Sequence, residues 1–130
     1  MHVKPILLAI WLAEEVVDDA QTGRLTAHGL FNQIAIAPDA VQYEVPFTVF
    51  FSVSDVRSRC RCVLRLLDLS SLDDVYLRDV ILEPVSAAEV LDIFIRVSQL
   101  PIPHPGSYAW ELLMGDDVLG ATRMIVTAFG

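Results

Sequence analysis

Lysine occurs once in the 130 residues and cysteine twice, and no uncharged apolar run approaches the ~18 residues of a membrane-spanning helix. The last absence leaves no candidate for such a helix. Cys60 and Cys62 are too few for a disulfide framework. One residue apart on a strand they share a face, and bonding them to each other requires a bend in the chain. Two reduced core thiols suit a reducing, cytoplasmic setting. A thiolate metal site needs two more ligands, and His2, His28 and His104 show no ligand spacing. Positive charge is scarce too: nine Lys plus Arg oppose 17 Asp plus Glu, a net charge of −8. That balance argues against nucleic acid and anionic membranes as partners.

Catalytic signatures are also missing. There is no Gly-x-Ser-x-Gly elbow, no Cys–His arrangement and no glycine-rich phosphate cradle. His28 lies on the Thr26/Leu30 side of its segment and His104 sits between prolines, neither with a visible catalytic partner. The pairs Asp18-Asp19, Asp73-Asp74 and Asp116-Asp117 lack calcium-loop spacing and read as solvated turn acids. Arg57, Arg59, Arg61 and Arg65 fall close together; they read as a solvated strand face rather than an anion site. The sequence therefore assigns no catalytic residue, no metal and no cofactor.

Apolar residues are abundant: 54% of the chain, with a mean hydropathy of +0.51. That content excludes intrinsic disorder, and the length suits one domain over residues 1–130. The apolar surplus finds an economical place in a subunit interface. At the start, Met1–Lys4 and the apolar run Pro5–Ala13 lead straight into Glu14-Glu15 without a small-residue cleavage site, so no secretory signal is expected.

Period-two patterning dominates. Tyr43, Val45, Phe47, Val49, Phe51 and Val53 alternate with Glu44, Pro46, Thr48, Phe50, Ser52 and Ser54, which predicts one half-buried strand. Arg59–Leu69 behaves alike, with Cys60, Cys62, Leu64 and Leu66 inward. The short polar link Asp55–Ser58 predicts a hairpin between the two. Arg24–Ala37 alternates with a one-residue phase slip at Asn32-Gln33, as a β-bulge would give. Pro5–Val17 fits a helix by propensity, or a central strand buried on both faces. Ser86–Gln99 has helical spacing and a capping-box Ser86/Glu89, but its β-branched content favours a strand. Leu100–Gly106, with three prolines, predicts an extended crossing without regular hydrogen bonding, and Gly115-Asp116 a tight hairpin turn. The sum is about eight strands.

Pro105-Gly106-Ser107-Tyr108-Ala109-Trp110 resembles the tyrosine corner of immunoglobulin-like domains, with Trp110 where the second Cys usually stands. The longer pattern Leu100-Pro101-x-Pro103-x-Pro105-Gly106-x-Tyr108-x-Trp110-x-Leu112, then Leu119-Gly120-x-x-Arg123, resembles a bacterial family of small uncharacterised domains. The resemblance implies an all-β, immunoglobulin-like antiparallel β-sandwich and supplies no activity. It also tips Pro5–Val17 towards a strand. Pro105, Gly106, Tyr108 and Trp110 then become structural residues. Tyr108 and Trp110 belong to the core rather than to a ligand platform, the Tyr108 hydroxyl bonding within Pro101–His104. The function expected is a non-enzymatic protein-interaction module, a homo-oligomer included. A small-molecule or carbohydrate-binding sandwich is the alternative, and a pocket lined by two or more exposed aromatics would favour it.

Overall fold

The computed structural model describes residues 3–84, 86 and 89–129; His2 and positions 87 and 88 of the Ser86–Gln99 stretch lie outside them. Among the described residues every regular element is a strand, because apolar side chains recur every second position. Strand β5 (Phe47–Ser54) buries Phe47, Val49, Phe51 and Val53. β6 (Cys60–Asp68) buries Cys62, Leu64 and Leu66, and β10 (Gly106–Met114) buries Tyr108, Trp110 and Leu112. These rows meet in one apolar cluster. Burial pushes the Cys62 thiol up to about 12, aided by Cys60 beside it, which leaves it an inert core group.

Two sheets enclose that cluster. One runs in the order β2 (Leu25–Leu30), β1 (Ile6–Asp18), β5, β8 (Val90–Val97), antiparallel throughout. The other runs β3 (Gln33–Ile36), β11 (Asp117–Ala128), β10, β6, β7 (Asp74–Leu82). A short ladder joins β4 (Gln42–Tyr43) to β9 (Leu100–Pro101). With β5 and β8 paired in one layer and β6 beside the β10–β11 pair in the other, this is an all-β, immunoglobulin-like sandwich. Of the two stretches that left a helix open, Pro5–Val17 and Ser86–Gln99, the first forms β1 from Ile6 onward and the second forms β8 over Val90–Val97.

Several expectations need correction. Among the described residues eleven strands form rather than about eight. Asp55–Ser58 is no hairpin: it carries the chain from one sheet to the other, with Asp55 in a left-handed conformation (φ 60) and Val56 1% exposed in the core. The apolar rows of β5 and β6 thereby face each other across the interior, whereas a hairpin would set them side by side in one layer. The phase slip at Asn32-Gln33 is a change of sheet, not a bulge. β2 ends in the first layer, and β3 resumes in the second, parallel to β11, so the sandwich is not wholly antiparallel. A bulge does occur in β1, between Leu7 and Ala9.

The Tyr43–Ser54 segment divides at Pro46, which cannot donate to a ladder, and Val45 is left exposed. Leu100–Gly106 is not free of pairing, since Leu100–Pro101 meets Gln42–Tyr43 and the Ile102 N–H donates to the Val41 carbonyl at 2.9 Å. β1 is central but buried on one face only: Ile10 and Leu12 point inward, while Leu8 and Trp11 are about half exposed. Gly115-Asp116 makes the expected two-residue turn, with Gly115 at φ +61 and Met114 opposite Asp117.

Phe51 is fully buried at the centre of the inward row. Phe51→Ala should cost about 3–5 kcal/mol of stability, measured by urea unfolding.

Candidate functional site

The outer faces of the two sheets differ in kind. On the five-stranded sheet the positions between the inward residues of β6 are Arg61, Val63, Arg65 and Leu67, and acids on neighbouring strands take up the two arginines. Arg61 pairs with Asp79 at 2.7 Å, and Arg65 with Glu111 at 2.6 Å and Asp74 at 3.5 Å. Arg59 meets Glu83 at 3.3 Å and Arg57 meets Asp55 at 3.5 Å. The clustered arginines are thus neutralised one by one, which leaves no open anion site at them.

The four-stranded sheet carries aromatic rings instead. Register sets Trp11 beside Phe50 and Phe50 beside Phe94 on three adjacent strands. Trp11 meets Phe50 edge-on with centroids 6.3 Å apart, and Phe50 stacks on Phe94 at 5.3 Å. Trp11 remains 50% exposed and Phe94 42%. Leu30, opposite Ala13 at the end of β2, stands 57% exposed beside them. An open groove of about 300 Å³ runs past Trp11, between β1 and Thr122, where β2 leaves the sheet. The sequence held a signal for this face: Phe50 occupies the outward phase of a strand whose other outward residues are Thr48, Ser52 and Ser54, and Phe94 stands between Asp92 and Arg96 in the outward phase of its own.

A second cluster lies at the corner of the sandwich. The Tyr108 hydroxyl donates to the His104 carbonyl and accepts from the His104 N–H at 3.4 Å. Gly106, at φ +150, takes a conformation that L side chains rarely adopt, and this lets the chain enter β10 directly after the prolines. His104 Nδ1 faces the Pro105 carbonyl at 2.6 Å, and Nε2 faces a carboxylate oxygen of the buried Asp68, also at 2.6 Å. Asp68 accepts further bonds from the Ser70 N–H and hydroxyl, at 2.9 and 2.8 Å. The Pro105 carbonyl and then Asp68 raise the His104 pKa. Burial pushes Asp68 up, but the hydrogen bonds from Ser70 and His104 outweigh it and bring the carboxyl down to about 2.

Ser70, His104 and Asp68 form the residue set of a hydrolase triad but not its geometry. Both ring nitrogens of His104 face acceptors, an arrangement that favours the protonated ring and aims no free lone pair at the Ser70 hydroxyl. The Ser70 hydroxyl, 3.3 Å from Nε2, gives its own proton to Asp68. The cluster ties the corner to the end of β6. Asp68 and His104 lie 36 positions apart, and no local spacing could have joined them. Tyr108 and Trp110 are fully buried, with Trp110 packed edge-on against Phe47 and Tyr76. His28 is exposed on β2. The acidic pairs disperse: Asp19 accepts from the Gln21 N–H, Asp74 meets Arg65, and Asp117 meets Lys4 at 2.9 Å.

Residues 8–127 match the family of unknown function DUF6941. The chain belongs to that family. No curated protein matches the sequence of this DUF6941 member. It is similar to an immunoglobulin-like protein from Pseudomonas aeruginosa known from a crystal structure, with 11% identity and a TM-score of 0.48 over 95% of this chain and 97% of that one. Among the described residues no helix of this DUF6941 chain is long and apolar enough to cross a membrane.

Tyr108→Phe should lower stability by about 0.5–1.5 kcal/mol in chemical denaturation, the worth of one net hydrogen bond. The corner also makes stability pH-dependent. The lowered Asp68 contributes above its ordinary 3.8, and that contribution is lost as pH falls towards about 2. The raised His104 contributes below its ordinary 6.5 and is lost as pH climbs through its folded value. Thermal unfolding across pH should show both contributions intact between 3.8 and 6.5. His104→Gln should flatten the alkaline fall.

Proposed function

We propose that this chain is a non-enzymatic protein-interaction module that self-associates through the outer face of its four-stranded sheet. One observation carries the reading: Trp11, Phe50 and Phe94 form a continuous ring row facing solvent, on a molecule whose other broad face is laced with ion pairs. Contiguous exposed aromatic surface is costly in water and typical of docking sites, where Trp and other aromatics supply much of the binding energy. The small-molecule or carbohydrate alternative asks for a pocket with two or more exposed aromatics. The groove beside Trp11 offers one, since its other ring, Phe31, is half-buried.

Under the same reading Pro105, Gly106, Tyr108 and Trp110 are structural, and the Leu100–Arg123 pattern marks the fold of a single domain rather than a chemistry. The free thiols of Cys60 and Cys62 fit a cytoplasmic setting in a bacterium.

Sedimentation velocity from about 1 to 100 µM, the range of a weak interface, tests the reading. Wild type should shift from monomer to a larger species as concentration rises. Trp11→Ser or Phe94→Ser should abolish the shift while leaving the melting temperature nearly unchanged, because both rings are already half in solvent. A wild type that stays monomeric throughout overturns the reading.

A further inference from the structure

We infer that the partner on this face is a second copy turned about a two-fold axis lying along the Trp11–Phe50–Phe94 row; this rests on the self-association proposed above and adds its geometry. The row crosses the strands, since each ring pairs with the next in a neighbouring strand. One outward step along the strands on one side lie Ala13, Thr48 and Arg96; one step on the other side lie Ala9, Ser52 and Asp92. Rotation about the row exchanges the two flanks. Arg96 of each copy then lies over the partner's Asp92, so the face is complementary to itself in charge, while Thr48 stays buried beneath Arg96.

Neither charge is spent on an ion pair among the described residues, although the Arg96 guanidinium reaches across β5 towards β1. Arg96 uses one nitrogen, Nη1, to bond the Glu14 carbonyl at 2.6 Å and the Thr48 hydroxyl at 3.1 Å. Asp92 accepts from the Ser52 hydroxyl at 2.7 Å. Arg57, Arg59, Arg61 and Arg65, by contrast, are each taken up by an acid.

Shape obeys the same axis. Leu30 stands beside Ala13 at the end of β2. At the symmetry-related place beside Ala9 there is no β2, and a notch of about 220 Å³ opens between Leu7–Ile10 and Gly120. The rotation lays the partner's Leu30 over that notch. The strands that overlap under this axis, β1, β5 and β8, at ~4.8 Å spacing and ~8 residues each make a face of roughly 400 Å², so two copies hide roughly 800 Å². That is the size of a weak, transient interface.

Charge reversal followed by sedimentation velocity tests the axis, with circular dichroism confirming that each variant is folded. Asp92→Arg brings two cations together at both contacts, and Arg96→Asp brings two acids together. Each variant alone should associate at least about tenfold more weakly than wild type. An equimolar mixture of the two should recover wild-type assembly, because unlike charges meet at both contacts of the mixed pair. Arg96→Asp also removes bonds to Glu14 and Thr48. Should it fail to fold, the axis requires Asp92→Arg to associate more weakly than Asp92→Asn, and high salt to weaken wild type. Association that is lost in Trp11→Ser but unaltered by Asp92→Arg, or a mixture that stays apart, overturns the axis and leaves the docking face standing. A monomeric wild type overturns both.

Discussion

The two layers are held together where Phe47 meets Trp110 edge-on, centroids 6.0 Å apart. Immunoglobulin domains commonly place an inter-sheet disulfide in this region. Here a chain of rings spans the gap: Tyr76 against Trp110 in one sheet, Trp110 against Phe47 across the interior, and Phe47 against Phe31 at 5.4 Å. The indole Nε1 of Trp110 has no hydrogen-bond partner among the described residues, a cost of about 1–3 kcal/mol that the buried ring area offsets. Because the link is packing rather than a covalent bond, the sandwich does not depend on oxidation. The clamp of Asp68, His104 and Tyr108 then fixes the strand that carries Trp110 at its entry.

Once the inner faces are satisfied, the outer faces are free to diverge. β6 and β7 mix charge with apolar side chains on theirs: Arg61 stands opposite Ile81 and Arg65 opposite Leu77, and the acids that take the arginines up, Asp79 and Asp74, stand on the diagonal. β1, β5 and β8 place rings at the corresponding outward positions. Sheet stability does not demand that choice, because Ser52 and Asp92 show that polar pairs serve equally well one step away. The aromatic row is a feature of the surface rather than of the core, and the high apolar content of the chain is spent partly there.

The strands were legible because period two shows directly in β5, β6 and β10, and a bulky residue on the wrong phase, such as Phe50, is visible in the same pattern. Layer assignment was not legible. Alternation gives the phase of a side chain but not the sheet to which its strand belongs, so the arch at Val56 looked like a hairpin and the sheet change at Asn32 looked like a bulge. The run Ile6–Leu12 is apolar on both phases, which suggested burial on both sides, yet one phase faces solvent. The Tyr108 corner announced itself through Pro-Gly-x-Tyr. Its partners Asp68 and Ser70 did not, since a contact closed across 36 residues leaves no trace in local spacing.

The arch and the sheet change together mean that neither layer is built from a continuous stretch of chain. The first sheet draws on β1, β2, β5 and β8, the second on β3, β6, β7, β10 and β11. No half of the sandwich can therefore assemble and wait for the other. Apart from β5 and β6, which the short arch sets face to face, the inward rows gain facing partners only when long loops close, and this entropy is lost before burial repays it. Such a topology places the chain among slow, cooperative folders with rates on the millisecond-to-second scale. The ring row of the first sheet comes into being only when the whole molecule does.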